Sequence, residues 1–182
     1  MTIISRPDTL TAPAVITRTV IAVRGAFDTD LTVHHARTPD ARITVTLGEV
    51  LMVFYSCAAV QGLLAAFTAA KQHSAAIPAE MAAPPAEPNG PTARVSVAVE
   101  WTRAPQYAAV PQSALNKARS RTWHWVELYT AAITWQIRDR AALATAIEAL
   151  TNAHRVAAVT FLDGAEHAAD PTAIPGRKAS AG

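Results

Sequence analysis

At 182 residues and 51% hydrophobic composition, the chain can bury the core of one ordinary domain without metal or disulfide staples. A formal charge of +2, with Arg outnumbering Lys 13 to 3, permits an anionic partner but does not require one. The lone cysteine, Cys57, excludes an internal disulfide and a cysteine-rich zinc site.

Residues 1–13 hold two prolines and no periodicity, and read as an arm. They lack the charged and apolar regions of a secretory signal, so a cytoplasmic location is expected. A single α+β domain is expected over 14–162, in halves 14–73 and 92–162. Residues 15–27 form a β-branched run that reads as a long strand, with Ile16, Arg18, Val20, Ala22 and Arg24 on one face and Thr19, Ile21 and Val23 on the other. A turn at 28–30, a strand over 31–37, a turn at 38–40 and a strand over 42–47 follow.

The segment 46–72 is the longest apolar stretch. Thr46 and Glu49 have the spacing of a capping box, which predicts a helix beginning at Leu47. The 21 residues from Val50 to Ala70 carry no charge and are long enough to cross a bilayer. At 100° per residue, however, Val53, Val60, Leu64 and Phe67 form one stripe, and Leu47, Leu51, Phe54, Ala58 and Ala65 form another opposite it. Opposed stripes predict a helix buried on two sides rather than a membrane span. If the second side is not covered by the same chain it marks an association site. The expectation is then a two-fold homo-oligomer with Val53, Val60, Leu64 and Phe67, or the opposite stripe, at the contact. Cys57, inside this segment, reads as a packed, inert thiol.

Residues 74–91 contain five prolines and read as a projecting linker. Beyond it, 93–103 alternates as a strand with Val95, Val97, Val99 and Trp101 on one face. Residues 104–121 have no evident element. Residues 122–138 predict two strands bent near 129–132. Asp139 caps a helix to about residue 153, with Leu143, Ala146, Ile147 and Leu150 inward. Residues 155–162 read as a closing strand and 163–182 as a flexible tail. The overall expectation is an α+β fold with a mixed, mainly antiparallel sheet of about seven strands and two helices. The Ile-Thr matches in 41–51 and 131–143 suggest a duplicated β-β-β-α unit.

Chemistry concentrates in 92–140, where seven Lys or Arg face three acids. Lys117, Arg119 and Arg121 run into Trp123, His124 and Trp125. Cations neutralise phosphates and exposed rings stack on bases, which predicts a nucleic-acid surface made of Lys117, Arg119, Arg121 and Trp123. The plainer alternative is that Trp123, Trp125, Tyr129, Ile133 and Trp135 face a core while the arginines solubilise a loop. Glu127 follows the tryptophans on one strand face. Its carboxyl could be raised in pKa among the rings and serve as an acid or base, or pair with Arg18, Arg24, Arg94 or Arg103.

His34 and His35 are adjacent on a strand and point to opposite faces, and no His, Cys or acid spacing suggests a metal. Hydrolase, phosphate-loop, dinucleotide and metalloprotease motifs are all lacking, so no catalytic residue, cofactor or metal is expected. The leading expectation is a non-enzymatic nucleic-acid-associated or regulatory protein that acts as a homo-oligomer, with DNA or RNA as partner. One alternative is a self-assembling structural or adaptor protein, such as a component of a phage or mobile element. Another is an enzyme with a motif-less site near Glu127 and His124.

Overall fold

Two hairpins, each with a two-residue loop, set the architecture. In the computed structural model, which describes residues 16, 18–81, 95–116, 118, 120–131 and 133–173, the order is β1 (Thr19–Val23), β2 (Thr29–His34), β3 (Arg42–Leu47), β4 (Val50–Phe54), α1 (Cys57–Lys71), β5 (Val97–Trp101), β6 (Tyr107–Leu115), β7 (Thr122–Thr130), β8 (Ile133–Ile137) and α2 (Arg140–Thr160). The class is α+β, with eight strands in two mixed sheets of four among the described residues. Sheet I runs β2-β3-β4-β5 and sheet II runs β1-β8-β7-β6.

Each half therefore lends its first strand to the other. β1 pairs parallel with β8, and β5 pairs parallel with β4, while all other pairings are antiparallel. The registers coincide: Val23 pairs with Ile137 as Trp101 pairs with Phe54, and Thr130 faces Ile133 as Leu47 faces Val50. The helices cross over as well. α1 leaves sheet I and packs on β6 and β7 of sheet II, α2 leaves sheet II and packs on β2 and β3 of sheet I, and the helices pack on one another.

The duplicated unit is four strands and a helix, not three strands and a helix. The Ile-Thr match misaligned it, because the register counterpart of Ile133 is Val50 and that of Ile43 is Val126.

The expected helix over 46–72 is corrected to a strand pair and a shorter helix. Gly48, at φ +57°, turns the chain between β3 and β4, a conformation that suits a residue without Cβ. Val50, Met52 and Phe54 are then buried while Leu51 between them is exposed, a period of two. The lack of charge concealed the change of period at Tyr55. The true cap is Ser56, whose hydroxyl accepts from Ala59 N at 3.2 Å.

Val60, Leu64 and Phe67 are fully buried within the chain, and Val53 lies on β4. Of the expected oligomer contact, Val53 is half-buried on the outer face of sheet I, whereas Val60, Leu64 and Phe67 are core: Phe67 meets Trp135 edge to face at 5.4 Å between centroids. The other side of α1 is covered by the same chain. Asp163 accepts from Cys57 N and Ala58 N, Gln61 donates to Ala169 O at 2.8 Å, and a Cβ on Gly62 would come within 2.7 Å of Ala104 Cβ. No helix among the described residues is long and apolar enough to cross a membrane.

Three further differences share one cause, tertiary context overriding local composition. β6 occupies the stretch that had no evident element; it is a sheet edge, which tolerates Pro111. Residues 155–160 continue α2, because Leu150, Ala153, His154, Ala157 and Thr160 extend its buried stripe and leave Val159 67% exposed. Residues 74–81 lie against the start of α2, where Pro78 O and Ala79 O accept from Arg140 N and Ala141 N and Ile77 is buried. The expected arm over 1–13 and the linker residues 82–91 lie outside the described residues, as does the tail from 174.

Asp139 caps α2 as expected and does more. Its Oδ1 accepts from Ala142 N at 2.8 Å, and its Oδ2 from Gly25 N at 2.7 Å and Met81 N at 2.9 Å. One buried carboxylate so joins the start of α2, the β1–β2 connection and the segment after α1.

Candidate functional site

The inner face of sheet II is apolar and the outer face is not. Along β7, Val126, Leu128 and Thr130 are buried toward the helices, so Trp123, Trp125, Glu127 and Tyr129 necessarily project from the opposite face. Trp123 is 39% exposed, and Trp125 and Tyr129 are half-buried. The reading that placed these three rings in the core is corrected: of the aromatic alternation only Trp135, on β8, points inward, where its Nε1 donates to Thr130 Oγ1 at 2.9 Å.

Two arginines stack on the outer indoles. The guanidinium carbon of Arg138 lies 4.7 Å from the Trp125 ring centroid, and that of Arg121 lies 5.3 Å from that of Trp123. Such cation-π contacts are worth roughly 0.5–1 kcal/mol at exposed sites. Arg138 also donates to Gln136 Oε1, and Gln136 donates through Nε2 to Glu127 at 3.1 Å.

Glu127 is the hub. Tyr129 OH donates to its Oε2 at 2.5 Å, and Trp125 Nε1 donates to its Oε1 at 3.3 Å. The Tyr129 bond above all holds the carboxyl below the usual glutamate range, partial burial opposes this, and the bonds from Trp125 and Gln136 and the charge of Arg18 add to the lowering. The expectation of a raised pKa is therefore corrected; the ring polar groups donate to the carboxylate instead of merely desolvating it. Tyr129 is pushed up in turn, chiefly by the same bond.

His124 alternates to the other face, opposite Ser113, so it does not converge with Glu127. Lys117 and Arg119 lie outside the described residues; Arg121, at the end of the same β6–β7 connection, is exposed beside Trp123. The sequence placed Arg121, Trp123 and Glu127 on one surface. It missed Gln136 and Arg138, which reach the cluster through the β7–β8 hairpin; the pairing Glu127 to Gln136 follows from a two-residue loop, the one signal that could have found them.

The duplication supplies an internal comparison. The counterparts of Trp125, Glu127, Tyr129 and Gln136 on the outer face of sheet I are Arg42, Thr44, Thr46 and Val53. Scaffold stability needs no aromatic network there, so the cluster is a property of sheet II alone. No protein-family model, no curated protein and no solved structure matches the chain.

Two other clusters lack reactive character. Cys57 is buried at the start of α1, and burial first, then the Asp163 carboxylate, push its thiol up to about 11. His154 Nε2 lies 2.7 Å from His167 O and His167 Nδ1 lies 3.2 Å from Gln61 Oε1, contacts that hold residues 161–173 against the helices. Among the described residues no three His, Cys, Asp or Glu side chains are grouped to hold a metal ion.

Proposed function

We propose that the outer face of sheet II binds single-stranded nucleic acid, and that the protein is a non-enzymatic nucleic-acid-associated or regulatory factor. The observation that supports this is the row Trp123, Trp125 and Tyr129 on β7 with Arg121 and Arg138 stacked on its indoles. A sheet face with aromatic rings offers stacking surfaces to unpaired bases, and guanidinium groups beside the rings meet the phosphates. Glu127 fits as an organiser: held ionised, it orients Trp125, Tyr129 and Gln136, and through Gln136 it positions Arg138. Lys117 and Arg119, preceding Arg121 in the sequence, extend the cationic segment.

Binding to a labelled single-stranded oligonucleotide should weaken as salt rises. Three cations, Arg18, Arg121 and Arg138, give a slope of log K against log salt of about −2, and Lys117 and Arg119 carry it toward about −3.5 if both engage. A slope near zero, or no retention at low salt, refutes the proposal.

A second reading takes this face as a contact between copies, within a self-assembling structural or adaptor protein. Val20 and Val110 share the outer face and are 51% and 38% exposed, which supports a homo-oligomer built through sheet II rather than through α1. Mass in solution, measured with and without oligonucleotide, separates the two readings.

A further inference from the structure

A second site lies away from the aromatic row, where the end of β5 in sheet I meets the β7–β8 hairpin of sheet II. The structure assigns to this cleft a small organic anion with an apolar body of about one ring.

The cleft encloses about 570 Å³, within the range of small-molecule sites. Its apolar wall is Val99, Trp101, Pro105 and Ile133, and its rim carries Arg103 and Gln106. Trp101 is 6% exposed, and its Nε1 is shielded from solvent with no hydrogen-bond acceptor among the described residues. A buried donor left in this state is rare and calls for a partner. Arg103 is exposed and has no carboxylate partner among the described residues. Glu100 also borders the cleft, but it alternates to the face of β5 opposite Trp101, where its Oε1 accepts from Tyr55 OH at 3.3 Å. The open cation and the unsatisfied donor both call for an acceptor, and an anion serves both.

The internal repeat shows how the lining of the cleft departs from the first half. By register Trp101, Arg103, Pro105 and Ala131 correspond to Val23, Gly25, Phe27 and Gly48. In the first half Phe27 packs on the core, with its Cβ 3.8 Å from the point a Gly48 Cβ would occupy, and Gly25 N is satisfied by Asp139. In the second half proline stands at the cleft wall in place of Phe27, the Trp101 indole stands in place of Val23, and a cation stands where the first half has a glycine. A carboxylate on a ring fits this lining: the ring lies on Pro105 and Trp101, the carboxylate meets Arg103, and the unpartnered Trp101 N–H is the donor that the bound anion would satisfy.

The test is a titration of the full, ¹⁵N-labelled chain with phenylacetate, followed through the Trp101 indole resonance. That resonance is identified by its Overhauser contacts to Val99 and Ile133 and by its loss in Trp101→Phe. The Trp101 signal should move saturably with a dissociation constant of about 1 mM or tighter, while that of Trp125 stays. Arg103→Gln should weaken binding roughly tenfold, as loss of a charged hydrogen-bond partner does, and the neutral analogue 2-phenylethanol should bind correspondingly less well. Absence of a saturable shift overturns the site. Equal affinity for Arg103→Gln and the parent chain, or for phenylacetate and 2-phenylethanol, overturns its anionic specificity.

Discussion

Gly48 and Ala131 hold the same place in the two hairpins, each the first of two loop residues and each in the left-handed region, at φ +57° and +53°. The first is free of a Cβ and the second is not. Ala131→Gly should therefore stabilise the fold: relief of about 1–2 kcal/mol of left-handed strain outweighs the ~0.4–1 kcal/mol of added freedom in the unfolded chain. Gly48→Ala should do the reverse. Urea unfolding of both variants checks the pair of signs.

Asp163 closes the amino end of α1, accepting from Cys57 N at 3.0 Å and Ala58 N at 3.1 Å. Asp163→Ala should cost roughly 1–3 kcal/mol, since two amides lose their partner. It should also make Cys57 more reactive, because the carboxylate helps to raise the thiol and the helix terminus lowers it once the carboxylate is gone. In the parent chain the folded thiol holds its proton more tightly than the unfolded one. Its contribution to stability is whole below pH 9 and is lost as pH rises through about 11. Alkylation rates against pH, for parent and variant, report both effects.

Tyr129→Phe removes the largest single influence that lowers Glu127. The carboxyl of the variant should titrate at higher pH than that of the parent, as read by carboxyl ¹³C shifts. Since the folded pKa of Glu127 is depressed, its contribution is present above the unfolded value and is lost as pH falls through the folded one. Acid should therefore loosen the Trp125, Tyr129 and Gln136 contacts in the parent before the sheet itself unfolds.

Phe67→Ala should cost about 3–5 kcal/mol in unfolding free energy, as for a large ring removed from a packed core. It should leave the mass of the folded protein unchanged, because Phe67 is fully buried within its own chain. Chemical unfolding and sedimentation of the same sample measure the two.

Much of the fold was legible where one periodicity ran uninterrupted. The alternation of Ile43 and Val45, the bend before Ile133 and the Asp139 cap are all as expected. Boundaries failed where composition hid a change of period, at Tyr55 between β4 and α1, and where an edge strand carried proline, at Pro111 in β6. The partner of α1 was not legible at all. Its second face is covered by Asp163, Ala169 and Ala104, residues about 40 to 110 positions away, and no local pattern encodes such contacts. The site was half legible for the same reason: Arg121, Trp123 and Glu127 are neighbours in sequence, whereas Arg138 arrives only through strand pairing.

The proposed nucleic-acid surface is tested most directly by anisotropy of a labelled single-stranded oligonucleotide titrated with the parent chain, Arg121→Ala, Trp123→Ala and Thr46→Ala. Thr46 is the sheet I counterpart of Tyr129 and serves as the control for a face without the aromatic row. Salt-sensitive binding should be weakened roughly 5- to 150-fold by Trp123→Ala, in keeping with loss of about 1–3 kcal/mol of stacking, and weakened as well by Arg121→Ala. Thr46→Ala should bind as the parent does. No binding at low salt, or the same affinity in all four proteins, would contradict the account.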